Sequence, residues 1–227
     1  MVIRLAVIPT LLLILYIYKK DGLEQEPKDL LVKLFGFGAL TVISAVILEV
    51  IGTIIVGMAI ETEGMLFTLI DAFIITACSE ELGKYVVLKK VTWNHEAFNY
   101  IFDGVVYGMF VSLGFATIEN ILYVAEGGVL IAILRALTSV PGHAMFGMYM
   151  GKHYGQAKKY ANQGNEVEKQ RSLRKAVLIP ILLHGFYDFC VMVGNAWFLL
   201  VFLIFEIVFT VVSFKKLKKL SSEDHAI

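Results

Sequence analysis

The chain has 227 residues, of which 58% are hydrophobic and 18% charged, with mean hydropathy +0.73 and a formal net charge of zero. A soluble domain of this length rarely reads so apolar, and the apolar residues fall in runs of about 20, the length a bilayer core needs. The two cysteines, Cys78 and Cys190, both lie in such runs and exclude a disulfide framework. The basic residues gather in loops without a nucleic-acid-binding pattern, so the partners expected are a lipid bilayer and no nucleic acid.

Seven helices are expected, at about 2–18, 30–60, 65–89, 100–125, 128–151, 176–194 and 197–214. The first has no small-x-small cleavage site and reads as a retained span. The second is longer than a bilayer requires and must tilt, bend or protrude. Lysines follow span one (Lys19, Lys20, Lys28, Lys33), close span three (Lys84, Lys89, Lys90) and mark the tail (Lys215, Lys216, Lys218, Lys219). The connection after span five carries Lys152, Lys158, Lys159, Lys169, Arg171, Arg174 and Lys175. The intervening connections, at 61–64, 126–128 and 194–196, carry no basic residue. The positive-inside rule then places the N-terminus outside and the C-terminus in the cytoplasm of a multi-pass cell-membrane protein. The expectation is an all-α transmembrane bundle forming one domain over residues 1–227, with a cytoplasmic loop at 152–175 whose polar residues extend the fifth helix and then turn back. Gly104, Gly108 and Ser112, and Gly147, Gly151 and Gly155, recur every four residues and predict close helix packing.

Against this apolar background the ionisable residues stand out. Glu80 and Glu81 are adjacent in the third span, and a carboxylate at bilayer depth normally has a polar partner or a task. Counted from each span's cytoplasmic end at ~1.5 Å per residue, Glu80, His143 and His184 all lie roughly 12–14 Å deep and are candidates for one site. Glu80 and Lys84 share a helix face, as do His184 and Asp188. Lys84 can neutralise a carboxylate, and Asp188 can orient His184. Glu80 and Glu81 point about 100° apart, so one is expected to face the site and the other to pair with Lys84 or a neighbouring helix.

Pro141 and Pro180 precede the two histidines and are expected to loosen their helices beside a hydrated pocket. A hairpin turning near Gly127 places Glu119 opposite Arg135, predicting a buried ion pair, with Glu119 also a candidate site member if its helix is broken. The same logic about Asn195 sets Glu206 opposite His184. Glu49 and Asp71 are expected to be structural or interfacial. Motifs for other intramembrane chemistries are incomplete: His95-Glu96-Ala97-Phe98-Asn99 lacks the second histidine of H-E-x-x-H, and Tyr187-Asp188 is not preceded by the glycine pattern of an aspartyl protease. Cys78 is a poor nucleophile in so apolar a setting.

Glu80-Glu81-Leu82-Gly83-Lys84 resembles the E-E-x-x-K motif of the PrsW intramembrane proteases. Asp103–Gly108 with Gly114–Asn120 resembles their second block, and His143-Ala144-x-x-Gly147 and His184-Gly185-Phe186-Tyr187-Asp188 resemble the third and fourth. The blocks cover about residues 71–190, in family order. That family is similar to the type II CAAX prenyl proteases, from which this chain departs at Lys84, one position before their arginine, and at Glu119, where they carry a histidine.

The resemblance implies a membrane endopeptidase that cleaves membrane-anchored proteins, such as anti-sigma factors, with glutamate-activated water. The catalytic candidates are Glu80, Glu81, His143, His184, Asp188 and Glu119. A zinc metalloprotease, with Glu80, His143 and His184 as ligands, is the close rival. A non-catalytic scaffold and a proton-coupled carrier are the readings from other classes. Substrate, cleavage position, side of access and oligomeric state stay open at this stage.

Overall fold

A computed structural model describes residues 2–227, with side chains from Arg4 onward. The apolar runs fold as helices almost throughout: α1 Val2–Lys20, α2 Lys28–Gly57, α3 Met65–Ile70, α4 Ala77–Thr92, α5 Ile101–Leu137, α6 Ser139–Asn162, α7 Glu166–Val193 and α8 Ala196–Ser222. A π-helical turn, Asp71–Thr76, carries α3 directly into α4. The single strand-like feature among the described residues is an antiparallel bridge between Tyr100 and Ala226. Among the described residues, four stretches are long and apolar enough to cross a membrane: Lys28–Gly57, Ile101–Asn162, Glu166–Val193 and Ala196–Ser222.

The bundle is organised around α5. Every residue from Phe102 to Thr117 is buried, because α1, α2, α4 and α6 all pack against this helix. The chain reverses inside α5 at Gly128, whose φ of 70° suits a residue without a Cβ. The return arm runs antiparallel to the outgoing one, so the two small-residue ridges meet. A Cβ on Gly151 would lie 2.0 Å from the Gly104 carbonyl oxygen, and one on Gly108 would lie 2.4 Å from that of Gly147. The backbones of α5 and α6 are therefore in contact, as the four-residue spacing predicts.

The outside of the bundle is apolar. Leu12, Ile43, Ile55, Leu130, Leu182 and Ile207 are all exposed, a surface suited to lipid and unsuited to water. At one end the α1–α2 connection, the α4–α5 connection and the C-terminal tail are stitched together. Asn99 Nδ2 donates to Glu24, the Phe102 amide to Asp224, and Ser221 Oγ to the Lys20 carbonyl.

One expectation about the prolines is corrected. Pro141 is the third residue of α6, where backbone amides have no intrahelical partner, so it breaks no helical hydrogen bond. The charged stretch 152–175 extends α6 to Asn162 and turns back at Gly164, φ 69°, into α7 from Glu166, as its polar sequence suggests. Pro180 does lie inside α7 and leaves a carbonyl one turn earlier without its helical donor.

Candidate active site

Glu80, Glu81 and Lys84 lie in the first eight residues of α4, immediately after the π turn. Glu81 and Lys84 are fully buried, and Glu80 is 4% exposed. The Lys84 ammonium donates to Glu81 Oε1 at 2.8 Å and to Glu80 Oε2 at 3.1 Å, and its third hydrogen faces His143 Nδ1 at 3.3 Å. The ammonium also lies over the Phe115 ring, 3.9 Å from the centroid. Both glutamates thus pair with Lys84, where the sequence suggests only one.

These contacts fix the histidines. An ammonium can only donate, so His143 Nδ1 carries a lone pair and its Nε2–H donates to Glu119 Oε2 at 2.8 Å. His184 Nδ1 donates to Glu81 Oε1 at 2.9 Å, and Nε2 lies 3.2 Å from Asp188 Oδ2. The two imidazoles meet edge to face, with ring centroids 5.1 Å apart, and Phe146 stacks on His184 at 4.9 Å. All six candidate residues named from the sequence therefore form one network across α4, α5, α6 and α7.

Glu119 combines two arrangements that the sequence treats as alternatives. Its Oε2 accepts from Arg135 Nη2 at 2.7 Å and from His143 at 2.8 Å. Thr138, with non-helical torsions between α5 and α6, is what lets both donors converge. Glu206 is not a partner of His184: its Oε1 accepts from Thr210 and its Oε2 is buried without a partner.

A cavity of about 830 Å³ opens beside this network. Glu80, Glu119, His143, His184 and Asp188 line it, whereas Glu81 lies behind the wall. Glu49 and Asp71 also line it, although the sequence suggests only structural or interfacial roles for them. Asp71 reaches the wall from the π turn, a wide helical turn with no signature in the apolar pattern. Tyr187 adds a hydroxyl, donated to Thr138 Oγ1 at 3.1 Å. Its place in the His184–Asp188 block was the available signal.

A family model described as PrsW family intramembrane metalloprotease matches residues 26–214. The chain belongs to that family. The curated protein named Protease PrsW from Oceanobacillus iheyensis is 36% identical over 219 residues, 96% of this chain and 95% of the relative. That from Geobacillus kaustophilus is 36% identical over 86% of this chain and 81% of its own length, and that from Bacillus subtilis is 32% identical over 90% and 89%. No solved structure matches the chain. The protein is accordingly a membrane protease of the PrsW type, built on an all-helical fold.

The family description implies a metal. Glu80, Glu81, His143 and His184 offer ligand atoms that all lie within 4.8 Å of one another, and the residue types suit zinc. As arranged they do not fit one. The Lys84 ammonium sits within 3.3 Å of acceptors from three of the four, and both nitrogens of His184 face carboxylate oxygens.

Proposed function

We propose that the protein hydrolyses peptide bonds of membrane-anchored substrates inside the bilayer, with Glu80 as the general base for water. The observation that carries this reading is the asymmetry of the glutamate pair: Glu80 lines the cavity, while Glu81 is sealed behind it. Glu80 takes a proton from a water held in the cavity, the oxygen attacks the scissile carbonyl, and the same proton passes to the departing amine. His184, whose two nitrogens face carboxylates, supplies positive charge to the developing oxyanion, and His143, held by Glu119 and Lys84, lines the cavity beside it. Glu81 and Lys84 hold these groups in register. Asp188 orients His184.

The topology proposed for this chemistry has seven spans, the N-terminus outside and the C-terminus cytoplasmic. It is supported by the meeting of the α1–α2 connection, the α4–α5 connection and the tail at one end, all on the basic side of the charge alternation. The cavity walls farthest from that end include Thr53, Leu122, Val191 and Leu199, close to the charge-poor connections. Substrate therefore reaches Glu80 from the outer side. The substrate class is a membrane-anchored regulator of the anti-sigma-factor kind.

The test is cleavage of single-span membrane proteins by the purified protein in liposomes, comparing wild type with His184→Ala. Cleavage by wild type that is lost in the variant supports the reading. Failure of folded wild type to cleave any member of a substrate panel overturns it.

A further inference from the structure

The Lys84 ammonium stands where a metalloprotease would carry its metal, and we infer that it is the built-in cation of this site and keeps divalent metal out. The inference rests on the water-activation reading above only for its catalytic consequence; the exclusion of metal stands on geometry alone.

An ammonium has three hydrogens and no lone pair. Here each hydrogen has its own acceptor: Glu80 Oε2 at 3.1 Å, Glu81 Oε1 at 2.8 Å and His143 Nδ1 at 3.3 Å. The face of Phe115 also packs against the ammonium. The side chain is fully buried, and both carboxylates come from one helical turn before it on α4. Swinging it away would strand an ammonium in an apolar interior and leave two buried carboxylates without their cation.

A zinc ion would need the same atoms. His143 would have to present the lone pair that Lys84 now occupies, and Glu80 and Glu81 would have to turn oxygens from the ammonium to the metal. A divalent ion ligated by these atoms would lie against the ammonium with no group between them to screen the repulsion. Lys84 performs the ordering that a metal otherwise performs: it gathers two carboxylates and an imidazole to one point and fixes the His143 tautomer. It does so without being a catalytic residue, since it does not line the cavity. It is a positioning residue.

The inference predicts a gain of function that a merely structural lysine would not give. Removing the ammonium while keeping a polar side chain leaves the Glu80, Glu81 and His143 acceptors around a vacated centre. Lys84→Gln is therefore expected to bind zinc at close to one ion per chain after equilibration and desalting in detergent, measured by elemental analysis. Wild type and Lys84→Arg are expected to hold less than a tenth of that. Zinc should raise the melting temperature of Lys84→Gln and leave wild type unmoved. Adding His143→Ala to Lys84→Gln should abolish the gain.

Stoichiometric zinc in wild type, removed by chelator with loss of cleavage and restored by zinc, would overturn the inference while leaving the protease reading intact. A folded Lys84→Gln that takes up no zinc would also overturn it. Zinc uptake by Lys84→Gln alone, with no cleavage by wild type, would instead sustain the metal exclusion and overturn the proposed hydrolysis.

Discussion

Glu119 and His143, 24 residues apart on α5 and α6, are joined by a 2.8 Å hydrogen bond whose acceptor oxygen is also bound by Arg135 at 2.7 Å. Glu119 is thus the hinge between an ion pair that fastens the hairpin and a histidine that faces the cavity. Losing it should free the His143 ring, whereas losing Arg135 removes one of two donors and leaves the histidine held. Glu119→Ala is expected to reduce kcat by roughly 10²-fold, the scale on which a mispositioned proton-transfer or oxyanion group is felt. Arg135→Ala should cost clearly less. Steady-state cleavage by the two variants in liposomes checks the order; equal losses would mean that the pair acts only on folding.

The α5–α6 contact makes a packing prediction. With the Gly151 Cβ position 2.0 Å from a backbone oxygen, no side-chain rotation can relieve the clash. Gly151→Val should force the two helices apart and destabilise the protein by about 1–3 kcal/mol or more. Gly36→Ala, where nothing lies within 4 Å of the new methyl, should be nearly silent. Thermal melts in one detergent compare them.

Much of this arrangement was legible in the sequence, and for identifiable reasons. A hairpin is nearly a one-parameter object, so placing its turn near Gly127 was enough to pair Glu119 with Arg135, and the chain indeed reverses at Gly128. Depth along a helix is also a simple count, and it puts Glu80, His143 and His184 at a common level. Rotation and local irregularity are not simple counts. The π turn that brings Asp71 to the cavity has no mark in an apolar run. The non-helical Thr138 that aims Arg135 and His143 at one oxygen follows from tertiary packing. Nor does the apolar pattern of α8 show that Glu206 accepts from Thr210 on its own helix instead of meeting His184. The role of Lys84 could be read only as neutralisation, since a linear motif does not show that three acceptors converge on one atom.

The stitched end of the bundle should respond to pH. Burial pushes the Glu26 carboxyl up to about 9, against the opposing hydrogen bond from Tyr107 and with a contribution from the nearby Asp103 carboxylate. Burial likewise raises Asp21 to about 6, opposed by the Glu26 amide hydrogen bond. An acid whose pKa is higher in the folded state binds its proton more tightly there. The stability contribution is therefore whole below the unfolded values and falls as pH climbs through about 6 for Asp21 and about 9 for Glu26. The melting temperature of wild type should decline between pH 6 and 9, and Glu26→Gln, which keeps an acceptor for Tyr107 without a charge, should flatten that decline. An unchanged slope in Glu26→Gln would show that Glu26 does not govern it.

The central claim is that Glu80, the cavity-facing member of the pair, activates water. Its most direct test is single-turnover cleavage of a single-span membrane protein by Glu80→Gln in liposomes, beside wild type at matched folding. The account expects Glu80→Gln to bind substrate, as judged by cross-linking, and to cleave it ~10²–10⁴-fold more slowly, the range typical of a lost general base. Cleavage by Glu80→Gln at the wild-type rate would contradict it.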